Sequence, residues 1–180
     1  MKKTKPLLEP QEVDQMTENL CKLHKRFAVL WLVGVFTGLR ISDLLQLRPR
    51  DIGEITWVEE QKTKRIRGLF IKPALMAEIQ DLIAFNQLKP DEFLFFSTEN
   101  KKHKPISRQW AHRIIAKTAR NLRQKGIGTH SMRKTYACDL YFATGSLEAV
   151  KASLGHKDIS TTFLYVRDAL EAPRRKFDAL

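Results

Sequence analysis

The chain has 180 residues, a length that suits one domain of ordinary size. A hydrophobic fraction of 43%, with 10 Phe and 3 Trp, supplies a real core and excludes extensive disorder. Lys and Arg total 32 against 20 Asp and Glu, and the net charge of +12 favours a polyanionic partner, nucleic acid ahead of an acidic membrane surface.

In chain order, "LLEPQEVDQMTENL" opens on Glu-Pro and predicts a helix running to about Cys21. "HKRFAVLWLVGVFTG", His24 to Gly38, predicts the most apolar and therefore the most central helix, with Gly38 as its stop. "ISDLLQLRPRDI" predicts a short helix with Ser42 or Asp43 near its start, closed by Pro49. From Ile52, β-branched and aromatic residues near period two predict two or three short antiparallel strands, with "EEQKTKR" across the turn. Helical spacing returns from Pro73 to about Gln87, and "DEFLFFS" is a short buried run. Ser107 caps a basic helix predicted to reach Gly126. Three more helices follow, in "HSMRKTYACDLYFATG", in "SLEAVKASLG" and in "KDISTTFLYV". Cys21 and Cys138 lie in apolar-periodic stretches without C-x-x-C spacing and read as reduced core residues. The basic N-terminus lacks an apolar signal core, and no apolar run suffices to span a bilayer, so a cytoplasmic protein is expected. The residues alone give a mainly helical α+β domain with one small sheet in its first third.

Several positions are candidates for chemistry. His130 and Arg133, three apart at a helix start, project from one face, where free N–H groups already favour an anion. Arg offers a bidentate fork for phosphate oxygens, and His a donor or proton acceptor. Arg40 follows a glycine turn beside the apolar helix, with Asp43 placed to hold its guanidinium. Lys62, Lys64 and Arg65 crowd the hairpin turn. Tyr165 is a potential nucleophile if its developing charge is stabilised, and His156 precedes its helix. Each has a plainer reading: solvated helix start, structural Arg–Asp pair, solvated turn, half-buried packing tyrosine, C-cap histidine.

Their order is more specific than any one of them. Arg40 in "TGLRISDLLQL", Lys62 in "EEQKTKR", His130 and Arg133 in "HSMRKTYA", His156 in "LGHKDISTT" and Tyr165 in "FLYV" follow one another as in the tyrosine recombinase (phage integrase) family, which the chain resembles from about Leu8 to the tyrosine. The resemblance implies a helical catalytic-domain fold with a small three-stranded antiparallel sheet, as one catalytic domain over 1–180 with an extension at 1–7 and a tail at 168–180. No N-terminal core-binding domain is expected, as in the short fimbrial phase-variation recombinases. It implies a site-specific recombinase or integrase that cleaves and rejoins double-stranded DNA through a 3′-phosphotyrosyl link. Arg40 and Arg133 would clamp the phosphate, His130 would bond it or assist in taking the tyrosine proton, His156 would donate to a non-bridging oxygen, and Asp43 would support them. Lys62 would protonate the leaving 5′-oxygen, with Lys64 the alternative.

No metal, cofactor or ATP is expected, since the cations are side chains. Partners implied are a tetramer of the chain on paired DNA sites and accessory DNA-bending proteins, in a bacterial or phage setting at the nucleoid. Lys64, Arg65, Arg108, His112, Arg113, Lys117, Arg120 and Arg123 are the expected DNA-contacting residues. The competing classes are a non-catalytic DNA-binding accessory protein of this fold, a type IB topoisomerase and an RNA-binding helical module.

Overall fold

The computed structural model of the protein describes residues 4–100 and 103–170. At its centre is α2 (Lys25–Thr37), in which Phe27, Val29, Leu30, Trp31, Val33 and Val35 are all buried. A helix apolar around most of its circumference has to be covered on several sides. α1 (Pro10–Leu23), α4 (Pro73–Phe85) and α6 (Thr129–Thr144) provide that cover, and α5 (Arg108–Asn121) packs on α1 and α6. α3 (Ile41–Leu44) follows α2 directly. Residues 4–7 of the expected N-terminal extension lie on α6: the Leu7 N–H donates to Thr135 Oγ1 at 2.9 Å, and Leu7 is buried.

The local signals set most element ends. Ser107 Oγ accepts from the Trp110 N–H at 3.1 Å and starts α5. Gly38 at φ +63° ends α2 in the left-handed region, which an L side chain adopts at a cost. The same device, Gly155 at φ +64°, ends α7 (Leu147–Leu154) and turns the chain back into α8 (Ile159–Leu170). α6, α7 and α8 share a second, smaller core of Ala137, Val150, Leu154 and Val166. Burying residues such as Leu154 and Val166 contributes about 1.5–3 kcal/mol each and fixes α8 against α6. Tyr165 leans on this cluster.

Four expectations are corrected. Among the described residues the sheet has two strands, not three: β1 (Ile55–Glu59) pairs antiparallel with β2 (Ile66–Phe70), Ile55 facing Phe70 and Glu59 facing Ile66. The buried run Phe93–Phe96 makes only an isolated bridge, Phe96 to Pro105, where a residue without an N–H cannot extend a ladder. The basic helix stops at Asn121, because Arg123 takes φ +58°, so Arg123 lies beyond it. Cys21 is exposed, whereas Cys138 is buried; both are reduced. Of the expected tail, α8 carries the chain to Leu170, and residues 171–180 lie outside the described residues. Among the described residues no helix is long and apolar enough to cross a membrane.

Candidate active site

Six elements of separate chain origin converge on one open cleft of about 680 Å³. Arg40 comes from the N-cap of α3, Lys62 from the β1–β2 turn and His130 and Arg133 from the first turns of α6. His156 follows α7, Tyr165 comes from α8, and Arg108 stands at the start of α5. All seven line the cleft.

α6 can carry His130 and Arg133 here because it lies close on α2. A Cβ on Gly34 would stand 2.4 Å from Met132 Sδ. Arg133, 2% exposed, is fixed by two backbone carbonyls: it donates to Gly38 O at 2.6 Å and to Leu154 O. The carbonyls that hold it therefore belong to the glycine-terminated ends of α2 and α7. Burial, with the neighbouring charge of Arg40, pushes its pKa down to about 10, so it stays cationic at neutral pH.

Tyr165 Oη lies 2.5 Å from His130 Nε2, and the ring stands edge-on to both imidazoles, with centroids 5.3 Å from His130 and 4.9 Å from His156. Desolvation raises the phenol above its ordinary value, while the charges of Arg133 and Arg40 pull it the other way. Part of His130 remains in solvent, yet desolvation and the charges of Arg133, Lys134 and Arg40 lower its pKa. Desolvation, Arg133 and Arg40 push His156 down to about 4. Both imidazoles are thus neutral at neutral pH, and His130 can accept a proton. His156 Nδ1 is 3.0 Å from Thr162 Oγ1.

The support of Arg40 differs from expectation. Its ion pair is with Glu60, NH1 to Oε2 at 2.6 Å, and not with Asp43. Glu60 is fully buried, and the same oxygen accepts from Thr63 Oγ1 at 2.5 Å. Desolvation would raise this carboxyl, but the bonds from Thr63 and Arg40 and the charges of Arg40 and Arg133 outweigh it and hold the pKa below its ordinary value. Asp43, also buried, instead accepts from the Gln61 N–H at 3.0 Å. The two carboxylates thus fasten the hairpin that bears Lys62 to α3. Only the hairpin's fold-back brings Glu60 to Arg40, twenty positions earlier, so local spacing offered Asp43 and no signal for Glu60.

The other cations separate clearly. Lys64, at φ +57°, pairs with Glu59 at 3.4 Å, and Arg65 donates to Ala152 O at 2.7 Å on the far side of the hairpin. His112, Arg113, Lys117, Arg120 and Arg123 are exposed, with the Arg113 guanidinium 5.7 Å from the Trp110 ring centroid. Among the described residues, no group of three or more His, Cys, Asp or Glu is placed to hold a metal ion.

Comparison with known proteins places this arrangement. The model of the Phage integrase family matches residues 6–171. The chain belongs to that family. It is 31% identical to the probable integrase/recombinase YoeC of Bacillus subtilis over 180 residues, covering 97% of each chain. It is 28% identical to the tyrosine recombinase XerH of Campylobacter jejuni, over 73% of this chain and 38% of that one. In fold it resembles the XerH site-specific recombinase crystallised in a post-cleavage complex with palindromic difH DNA, with TM-score 0.74 at 21% identity over 95% of this chain and 52% of that one. The chain thus spans nearly all of YoeC but about half or less of the XerH proteins. Its sequence places it in the Phage integrase family, among the tyrosine recombinases, and its fold is mainly helical with a small antiparallel sheet.

Proposed function

We propose that the chain is the catalytic unit of a site-specific recombinase that cleaves and rejoins double-stranded DNA through a 3′-phosphotyrosyl intermediate. The observation that carries this reading is the Tyr165 hydroxyl, 2.5 Å from His130 Nε2, in a cleft shared with Arg40, Arg133, His156 and Lys62. The tyrosine gives its proton to neutral His130 as Oη attacks phosphorus. The Oη–P bond forms and the P–O5′ bond breaks, while the Lys62 ammonium gives a proton to the departing 5′-oxygen. Arg40 and Arg133 stabilise the charge gathering on the non-bridging oxygens, and His156 donates to one of them. A 5′-hydroxyl attacking the phosphotyrosine reverses every step, so the bond energy is conserved and rejoining requires no ATP.

The cations of the reaction are side chains held in advance: Arg133 by two carbonyls, Arg40 by Glu60. On this reading no metal ion takes part. The exposed cations of α5, with Arg108 at the cleft edge, would follow the DNA backbone. Strand exchange would need paired sites and so a tetramer, with DNA-bending proteins as accessories.

Covalent trapping tests the proposal. The protein is incubated with nicked, labelled DNA carrying its flanking sequences and resolved on denaturing gels, with Tyr165→Phe in parallel. The expected result is a slow, protease-sensitive band absent from the variant. Tight, salt-sensitive binding without that band would make the chain a non-catalytic DNA binder. Relaxation of plasmids lacking any special site by monomeric protein would make it a topoisomerase.

A further inference from the structure

Thr162 lies outside the cleft, fully buried, one helical turn before Tyr165 on α8. Among the described residues its hydroxyl has one partner, His156 Nδ1, at 3.0 Å. A threonine hydroxyl has a single proton to give, and a buried one needs an acceptor for it. If Nδ1 carried the hydrogen, the Thr162 proton would have nowhere to go. If Nδ1 is bare, the threonine donates to it and both groups are satisfied. His156 is neutral at neutral pH, its pKa pushed down to about 4 by burial and by Arg133 and Arg40, so its one ring proton must choose a nitrogen. With Nδ1 engaged, the hydrogen sits on Nε2, the nitrogen left for the cleft that His156 lines.

We infer that Thr162 is a positioning residue for the proposed reaction: by donating to Nδ1 it holds His156 in the Nε2–H tautomer and so presents a hydrogen-bond donor to the phosphate. The same bond ties His156 to α8, the helix that carries Tyr165. The catalytic consequence rests on the function proposed above; the tautomer does not, and the two are tested separately.

The first arm reads the tautomer in DNA-free protein, by ring 15N shifts of His156 at neutral pH. The expected wild-type pattern is a bare, pyridine-like Nδ1 and a protonated, pyrrole-like Nε2. Thr162→Val keeps the buried shape and removes the donor, so its spectrum should move towards a mixture, whereas Thr162→Ser should restore the wild-type pattern. The second arm compares covalent capture rates at matched folded fractions. Thr162→Val should be slower by about tenfold, the lower end of the loss seen when the outer hydrogen-bond partner of a metal-ligating histidine is removed, and Thr162→Ser close to wild type. A protonated Nδ1 in the wild type overturns the inference, as does a Val variant with unchanged shifts or unchanged rate. Absence of any Tyr165-dependent adduct in the wild type would overturn the functional reading instead, and the spectra would then decide the tautomer alone.

Discussion

Replacing Glu60 by Gln keeps the size and one acceptor oxygen, removes the charge and puts an amide NH2 where the second carboxylate oxygen stood. In the wild type that carboxylate is fully buried and accepts from Arg40 at 2.6 Å and Thr63 at 2.5 Å. Bonds to a charged group contribute about 1.5–3 kcal/mol and neutral ones about 0.5–1.5, so the Thr63 bond loses roughly 1 kcal/mol, and the Arg40 bond, left with charge on one side only, loses about as much. The lost attraction to Arg133 adds to this, while the Arg40 side chain, 22% exposed, recovers part of it by turning to solvent. The expected destabilisation is about 2 kcal/mol, rising to about 3–5 kcal/mol for Glu60→Ala, which leaves Arg40 without a partner. For a chain of this size, about 2 kcal/mol lowers Tm by roughly 4–8 °C.

The assay is urea and thermal unfolding of both proteins from neutral pH downward. The folded pKa of Glu60 is depressed, so its contribution is present above the ordinary value of 4.5 and is lost as pH falls through the lowered one. The gap between wild type and Glu60→Gln should therefore be full at pH 7 and close on acidification. Equal stabilities at pH 7, or a gap that stays constant into acid, would refute the charged-clasp account.

Three other expectations follow from the geometry. Gly38→Ala puts a Cβ 2.4 Å from Tyr136 Cδ1 at φ +63° and disturbs a carbonyl that holds Arg133; it should cost about 3 kcal/mol by urea titration and slow cleavage at matched folded fraction. On the proposed mechanism His130 accepts the tyrosine proton, and its pKa is lowered from the ordinary 6.5, so the single-turnover cleavage rate should hold across neutral pH and fall only on the acid side of that value. A decline beginning well above that value would remove His130 from this role. Lys62→Ala should block cleavage of ordinary DNA yet cleave a substrate with sulfur at the 5′-bridging position, which leaves without a proton, whereas Lys64→Ala should need no such help. In addition, Lys117→Ala with Arg120→Ala should weaken DNA binding evenly across sequences and shrink the log–log salt slope by up to about 2; an unchanged slope would take α5 off the backbone.

The sequence by itself determined the parts decided by neighbours a few residues away. Ser107 caps α5, Gly38, Gly145 and Gly155 end their helices, and the apolar run from Phe27 to Val35 had to lie inside. The ordered motif residues pointed to the family because their identities, unlike their contacts, are written in the chain. The tertiary structure decided what depends on distant segments meeting. Spacing along the chain placed Asp43 beside Arg40, but the hairpin folds back and gives Arg40 to Glu60 and Asp43 to the Gln61 N–H. Among three cations in one turn the motif favoured Lys62 but left Lys64 as an alternative. The left-handed residue at Lys64 and the closing contact of Arg65 on α7 leave Lys62 as the one lining the cleft. Thr162 looked like one of several hydroxyls in "KDISTT", and became distinct only when α7 and α8 packed so that one of them met His156. Local propensity fixes where helices begin and end; which buried charge meets which partner is settled by packing, where an unpaired group costs too much to leave alone.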